Sequence, residues 1–157
     1  KLLQRRGLCA VALDGDGSRL ALAFDRDGEV LDTATGAVLA RISGDGRQIL
    51  DVALSPDGRW LATGDLDLAA RIWSVPDGRL AAVLRGHSGR VAGVSFSRDS
   101  RTLVTASWDG SARLWDLDVL SRPAAELLAA IQADWGLDLA DAEPPAGSAG
   151  ARANLAP

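Results

Sequence analysis

A short motif recurs along this chain at a constant interval. Asp25, Asp67 and Asp109 lie 42 residues apart, and an apolar residue precedes each of them. Large apolar residues follow at the same interval: Leu31, Trp73 and Trp115. A period of about 40–45 residues indicates one supersecondary unit stacked several times, because a unit of this size cannot bury its apolar face alone. The repeat therefore predicts a stacked architecture, and a binding surface rather than a catalytic pocket.

Within each repeat the pattern predicts short antiparallel strands joined by tight turns. Apolar runs at 49–54 and 91–96 each end in turn-forming residues, and a second strand follows each turn. Asp109-Gly110 is a strong hairpin signal that leads into a third strand, and 80–84 supplies a fourth. Units of this kind are typical of propeller blades. We therefore expect an all-β fold, a partial β-propeller of about three four-stranded antiparallel blades with a short C-terminal helix.

The predicted blades occupy residues 1–120, in repeats at about 3–42, 43–84 and 85–120. The first repeat aligns with the second after a one-residue deletion. Helix-start signals then replace the expected last strand, so an amphipathic helix is predicted at 121–136. Residues 143–157 are rich in Pro, Ala and Gly and are predicted to be disordered. Since propellers typically have about four to eight blades, we expect the upstream chain or self-association to supply the missing ones.

Composition narrows the possible functions. The chain has 157 residues and a formal net charge of −4. An acidic domain gains nothing from neutralising phosphates, so we expect no nucleic-acid partner. No apolar stretch is long enough to cross a bilayer, and we expect a cytoplasmic protein with no membrane partner. One Cys and one His allow neither an internal disulfide nor a zinc site.

Two acidic segments, 14–17 and 25–28, resemble pieces of calcium loops. Calcium takes about six to eight oxygen ligands, usually from Asp at alternate positions and a closing acidic residue. Neither segment supplies a third Asp before its Gly, and Arg26 places a positive charge inside the second. We interpret both as hairpin turns and expect no metal and no cofactor.

The third repeat carries a recognisable family pattern. Residues 86–116 open with Gly86-His87 and close with Leu114-Trp115-Asp116, and in this they resemble the WD-repeat family. The second repeat keeps the frame but has Asp45 in place of the His and Ser74 in place of the final Asp. The resemblance covers roughly residues 3–120.

The resemblance implies a buried hydrogen-bond chain in each blade, made by a His, a strand hydroxyl, the turn Asp and the strand Trp. In the third repeat the matching residues are His87, Thr105, Asp109 and Trp115. In the second repeat the remaining members are Thr63, Asp67 and Trp73. Because an incomplete polar network is costly, we expect the second blade to be softer.

The resemblance also places certain residues on the propeller face around the central channel, where partners are often bound. The residues before the turn Asp are Phe24, Leu66 and Trp108, and further positions on that face are Arg90, Ala92, Gln48 and Leu50. Trp108 beside Arg90 combines a large apolar area with planar donors, which is typical of interface hot spots. The alternative is that these side chains pack against neighbouring blades.

These features favour a non-catalytic protein–protein interaction scaffold that presents a propeller rim to a protein or peptide partner. The alternative is a regulatory C-terminal segment of a larger bacterial signalling enzyme, a kinase or NTPase, whose catalytic domain lies upstream. We expect no catalysis by this segment. His87 and Ser88 are adjacent in sequence and cannot normally form the hydrogen bond that activates a nucleophile, and the chain has no Gly-x-Ser-x-Gly elbow.

Overall fold

In a computed structural model, which describes residues 6–43 and 47–121, the chain forms three antiparallel sheets. The first sheet contains β1 (Leu8–Leu13), β2 (Arg19–Phe24), β3 (Asp27–Asp32) and β4 (Val38–Ser43). The second contains β5 (Ile49–Leu54), β6 (Trp60–Asp65), β7 (Ala69–Ser74) and β8 (Leu80–Arg85). The third contains β9 (Val91–Phe96), β10 (Thr102–Ser107) and β11 (Ala112–Asp116). The predicted all-β, partial-propeller architecture is confirmed.

Among the described residues, the third sheet has three strands, whereas each of the other two has four. After β11 the chain enters a short helix, α1 (Asp118–Ser121), which begins three residues before the predicted start at Ser121. Asp116 is the local cause, because its carboxylate accepts a hydrogen bond from the Asp118 amide at 2.9 Å and turns the chain. The rest of the predicted helix, 121–136, and the predicted tail, 143–157, lie outside the described residues.

The sheets pack face to face because strands of the central sheet alternate between two apolar faces. In β6 and β7 of the central sheet, Leu61 and Trp73 face the first sheet, whereas Ala62 and Ile72 face the third. The first interface is completed by small residues of β2, such as Ala21 and Ala23. The central sheet is therefore covered on both faces, and its apolar side chains form the main core.

The turns between the first and second strands of each sheet share one design. In the second sheet Gly58 has a φ of 67°, and Ser100 occupies the same place in the third sheet with a φ of 63°. Positive φ is strained for a residue with a side chain, so contacts in the surrounding turn must stabilise the Ser100 backbone. In the first sheet, Asp14 accepts from the Arg19 amide at 3.0 Å and from the Ser18 hydroxyl at 3.0 Å. The acidic segment 14–17 thus forms part of a hairpin turn.

The one-residue deletion in the first repeat lies in the β2–β3 hairpin. Phe24 pairs directly with Asp27 at the end of these strands, which leaves a two-residue turn. The amide of Asp25 donates to the Gly7 carbonyl, as the amides of the corresponding residues in the other sheets donate to Gln48 and Arg90. The 42-residue spacing predicted that Phe24 is equivalent to Leu66 and Trp108. The structure shows that it is not, because Asp25 makes the equivalent backbone hydrogen bond.

The outer faces of the first and third sheets are open among the described residues. On β1, Val11 is 56% exposed and Leu13 is 57% exposed, because they alternate with the alanines that face the core. On β10 and β11, the paired residues Val104 and Leu114 are 37% and 77% exposed. Each open face is the counterpart of a face that is buried in the central sheet.

Candidate interaction surface and the network beneath it

A buried hydrogen-bond chain crosses the third sheet. The Nδ1 of His87, a residue of the loop before β9, lies 2.9 Å from Oδ2 of Asp109 in the β10–β11 turn. Its Nε2 lies 2.8 Å from the Thr105 hydroxyl on β10. The Trp115 indole on β11 donates to that same hydroxyl at 2.9 Å. The structure thus brings together all four residues that the resemblance grouped in this blade.

The contacts limit where the protons of the hydrogen-bond chain lie. A carboxylate can only accept, so Nδ1 of His87 carries a proton and donates it to Asp109. With Nε2 unprotonated, the Thr105 hydroxyl accepts from Trp115 and donates its own proton to Nε2. A neutral imidazole satisfies every group in this arrangement, and such a complete network strengthens a buried site.

Asp109 has further donors that fix the loop above it. Ser111 donates its hydroxyl to Oδ1 of Asp109 at 2.6 Å, and the amide of Ser88 donates to Oδ2 at 2.9 Å. The Ser111 hydroxyl, with the Ser88 amide and the His87 ring, holds the pKa of Asp109 well below its usual range. Asp109 is therefore an anion over the physiological range, and it ties the 86–90 loop to the β10–β11 turn.

The second sheet uses a different arrangement at the same place. The Trp73 indole donates to Thr63 at 3.2 Å, but Asp67 is engaged by arginine. Arg71 donates to both carboxylate oxygens of Asp67, at 3.0 and 2.7 Å, and also pairs with Asp65. The Arg71–Asp67 ion pair thus occupies the place that the His87–Asp109 contact has in the third sheet.

Asp65 was missed by the sequence analysis. Its side chain is 3% exposed and that of Arg71 is 4% exposed, so both charges are buried on neighbouring strands. Burial raises the pKa of Asp65, while the hydrogen bonds from Arg71 hold the pKa of Asp67 below its usual value. An Asp at the end of one apolar strand and an Arg within the next were the available signal, because buried charges require partners.

The described residues of the first sheet form no equivalent polar chain. Leu22 and Leu31 stand where the second sheet has its Thr and Trp, and both are buried at 3% and 2% exposure. Apolar packing therefore replaces hydrogen bonding at this position, as the degenerate sequence of the first repeat would require.

Trp108 and Arg90 form an exposed pair at the end of the third sheet that carries the β10–β11 turn. The guanidinium carbon of Arg90 lies 4.9 Å from the centroid of the Trp108 ring, which is the geometry of a cation–π contact. Trp108 is 70% exposed. The Trp108 amide donates to the Arg90 carbonyl at 3.0 Å, so the two backbones are also linked.

The other predicted rim residues are distributed less evenly. Gln48 and Leu66 border a recess of about 260 Å³ together with Asp25, Arg26, Arg47 and Asp67. Ala92 is exposed and Leu50 is half-buried. Phe24 is half-buried and borders a separate groove beside β3 and β4, with Gly28, Arg41 and Ile42 among its neighbours. The structure thus pairs Trp108 with Arg90 and Leu66 with Gln48, and it places Phe24 with neither pair.

The described residues contain no group of three or more His, Cys, Asp or Glu side chains that could hold a metal ion. Among the same residues, no helix has the length and apolar character required to cross a membrane.

The sheets, their face-to-face packing and the His–Thr–Asp–Trp geometry define a class of β-propeller repeat. The family model "WD domain, G-beta repeat" matches residues 36–74 and 78–116. Each match begins near the last strand of one sheet and ends with the third strand of the next, which is the register of two successive repeats. The resemblance is therefore confirmed, and the chain belongs to the WD-repeat family.

Individual relatives cover a part of the chain. It is 42% identical over 69 residues to human WD repeat-containing protein 36, an alignment that spans 43% of this chain and 8% of that protein. It is 34% identical over 67 residues to the nuclear distribution protein nudF of Aspergillus niger, across 43% of this chain and 15% of that protein. It is 34% identical over 65 residues to the guanine nucleotide-binding protein subunit beta of Schizosaccharomyces pombe, across 41% and 21%.

A solved structure supports the fold. The structure of U3-55K superposes with a TM-score of 0.68 at 24% identity, and the match covers 75% of this chain and 38% of that one. At this identity the likeness shows the fold alone. The match spans between 8% and 38% of the length of these three relatives and this solved structure.

Proposed function

We propose that this chain is a non-catalytic module that binds a protein or peptide at one end of its sheets, the end that carries the β2–β3, β6–β7 and β10–β11 turns. The name "rim" is used below for the residues at this end that the sequence singled out. These are Trp108, Arg90, Ala92, Leu66, Gln48, Leu50 and Phe24. WD-repeat proteins serve generally as interaction scaffolds, and the finer assignment to the rim is our own.

One observation carries this proposal. Trp108 is 70% exposed, although an indole ring is costly to leave in water, and the Arg90 guanidinium lies over its ring. Exposed Trp and Arg at the centre of a contact are the residue types that most often dominate binding energy. The Asp109 anion ties together the two chain segments that carry them, so the pair is presented on a well-supported base.

The absence of catalysis is supported by how the polar groups are used. Both ring nitrogens of His87 are engaged, one by Asp109 and the other by Thr105. The Thr105 hydroxyl is fully buried and already has two partners. A nucleophile and its general base need free hydrogen-bonding positions that face a substrate. We infer that this network serves the blade rather than a reaction.

The open outer faces support a larger assembly. The exposed Val11 and Leu13 on one side and Leu114 on the other are the counterparts of side chains that are buried between sheets. We infer that further blades cover these faces, supplied by upstream chain or by self-association. A second candidate function, the regulatory C-terminal segment of a larger bacterial signalling kinase or NTPase, would need the same further blades. We place either form in the cytoplasm, without nucleic-acid or membrane partners.

The test is capture of a partner by the intact protein and by a variant with Trp108→Ala and Arg90→Ala together. We expect the double variant to lose specific partners in cross-linking and pull-down, while its melting temperature stays close to that of the parent. Leu80→Ala, at an exposed position away from the rim, is the control. Equal capture by the parent and the double variant would refute the rim assignment.

A further inference from the structure

Among the residues that the structure describes, the Arg90 guanidinium has no neutralising carboxylate. Two other arginines do have one: Arg47 lies 2.6 Å from Asp67, and Arg71 is held between Asp65 and Asp67. In the part of the chain that the structure describes, Arg90 makes no ion pair within 4.0 Å, and its ring contact is with Trp108. A chain with more acidic than basic residues thus leaves this exposed cation available.

The position of Arg90 over the indole indicates what can bind. A guanidinium over an aromatic ring interacts with the ring through its charge and keeps N–H groups for other acceptors. Those N–H groups match the two oxygens of a carboxylate, which they bind by parallel, charge-assisted hydrogen bonds. The exposed indole beside them offers an apolar surface to the neighbouring residue of the same ligand.

We propose that Arg90 and Trp108 form a recognition site for an acidic side chain, Asp or Glu, that is flanked by an apolar residue in a partner peptide. This deepens the proposed function, on which it rests, by naming the partner chemistry. Arg90 binds the carboxylate, and Trp108 packs against the apolar neighbour.

The base of this site is preorganised. The 86–90 loop approaches the β10–β11 turn so closely that a Cβ on Gly89 would lie 2.5 Å from the Asp109 amide nitrogen. No side chain fits there, so Gly89 permits the close approach. The Ser88 amide then donates to the Asp109 carboxylate at 2.9 Å. Because both flanks of Arg90 are fixed, binding costs less ordering entropy than it would on a free loop.

The site belongs to the third sheet alone among the three that are described. By backbone hydrogen bonding, the residues equivalent to Arg90 and Trp108 are Gln48 and Leu66 in the second sheet. They are Gly7 and Asp25 in the first sheet. Neither pair combines a cation with an aromatic ring, so acidic specificity should depend on one blade.

The experiment is selection from a phage-displayed library of random peptides on the intact, immobilised chain. We expect the recovered sequences to be enriched in Asp or Glu next to a large apolar residue. A recovered peptide should then bind the Arg90→Gln variant roughly tenfold to a hundredfold more weakly, since a charge-assisted hydrogen bond is lost. Arg90→Lys should give an intermediate loss, because it keeps the charge without the planar pair of donors.

The matched control is Arg98→Gln. Arg98 is exposed like Arg90 but lies in the turn at the opposite end of the third sheet, so this variant makes the same charge change elsewhere. We expect its affinity for the recovered peptide to equal that of the parent. A similar loss in both variants would overturn the proposal, because it would show a long-range charge effect.

The remaining outcomes separate this inference from the proposed function. Recovered peptides that lack acidic residues but fail to bind a Trp108→Ala variant would overturn the acidic specificity and leave rim binding intact. A library that yields no peptide dependent on either Arg90 or Trp108 would overturn both. Circular dichroism and melting temperature of each variant establish that it is folded.

Discussion

Replacing His87 by alanine tests the buried chain of the third sheet most directly. The imidazole bridges the Thr105 hydroxyl and the Asp109 carboxylate, and its side chain is 1% exposed. Its removal deprives the buried Thr105 hydroxyl of the acceptor for its proton. We expect a clear loss of free energy of unfolding.

The two ends of the broken chain contribute unequally. Thr105 is fully buried, and a buried polar group left without a partner costs about 1–3 kcal/mol. Asp109 keeps its bonds from Ser111 and Ser88, so the loss at that end is small. We expect a total destabilisation of about 2 kcal/mol, because one buried group carries most of the cost.

Urea unfolding followed by tryptophan fluorescence measures this difference. For a chain of this size, about 2 kcal/mol corresponds to a drop of about 4–8 °C in melting temperature. Ser88→Ala is the control, since Ser88 is exposed and contributes its backbone amide, which alanine retains. A midpoint for His87→Ala that matches the control would refute the reasoning.

Three further predictions address the second sheet, acid stability and the open face. Arg71→Met should lower the unfolding free energy by about 3–5 kcal/mol because it strands the buried Asp65, whereas Arg98→Met should leave the urea midpoint unchanged. The folded pKa of Asp109 lies below its unfolded value, so its contribution to stability is present above pH of about 4 and is lost as the pH falls further. Urea midpoints across that range should fall less steeply for Asp109→Asn than for the parent, and parallel curves would contradict this. Leu114 is 77% exposed, so sedimentation should show concentration-dependent association that Leu114→Asp weakens, and a parent that stays monomeric at every concentration would contradict it.

The regular features of the fold followed from local sequence. Alternating apolar residues, the turn-forming segments and the 42-residue interval were sufficient for the strands, the sheets and the family. The members of the hydrogen-bond chain, from His87 to Trp115, were predicted from the resemblance to the WD-repeat family, which implies a fixed place in the repeat for each of them.

Spacing failed where one residue was deleted. An interval of 42 residues equated Phe24 with Leu66 and Trp108, but the deletion falls inside the β2–β3 hairpin. A shorter turn is compatible with strong pairing of the strands before and after it. The sequence therefore did not show whether Phe24 lies before or after the deleted position. The backbone hydrogen bond from Asp25 to Gly7 resolved it.

By itself, the sequence determined the repeating unit, because the period and polarity of side chains set which face of each strand is buried. Only the tertiary structure decided which charges meet. Arg71 closes on Asp65 and Asp67, and Arg90 reaches Trp108 instead of a carboxylate. These contacts join residues on different strands and loops, and their geometry depends on how the sheet twists and how closely its turns approach. Local pattern carries no information about such distances until the chain has folded.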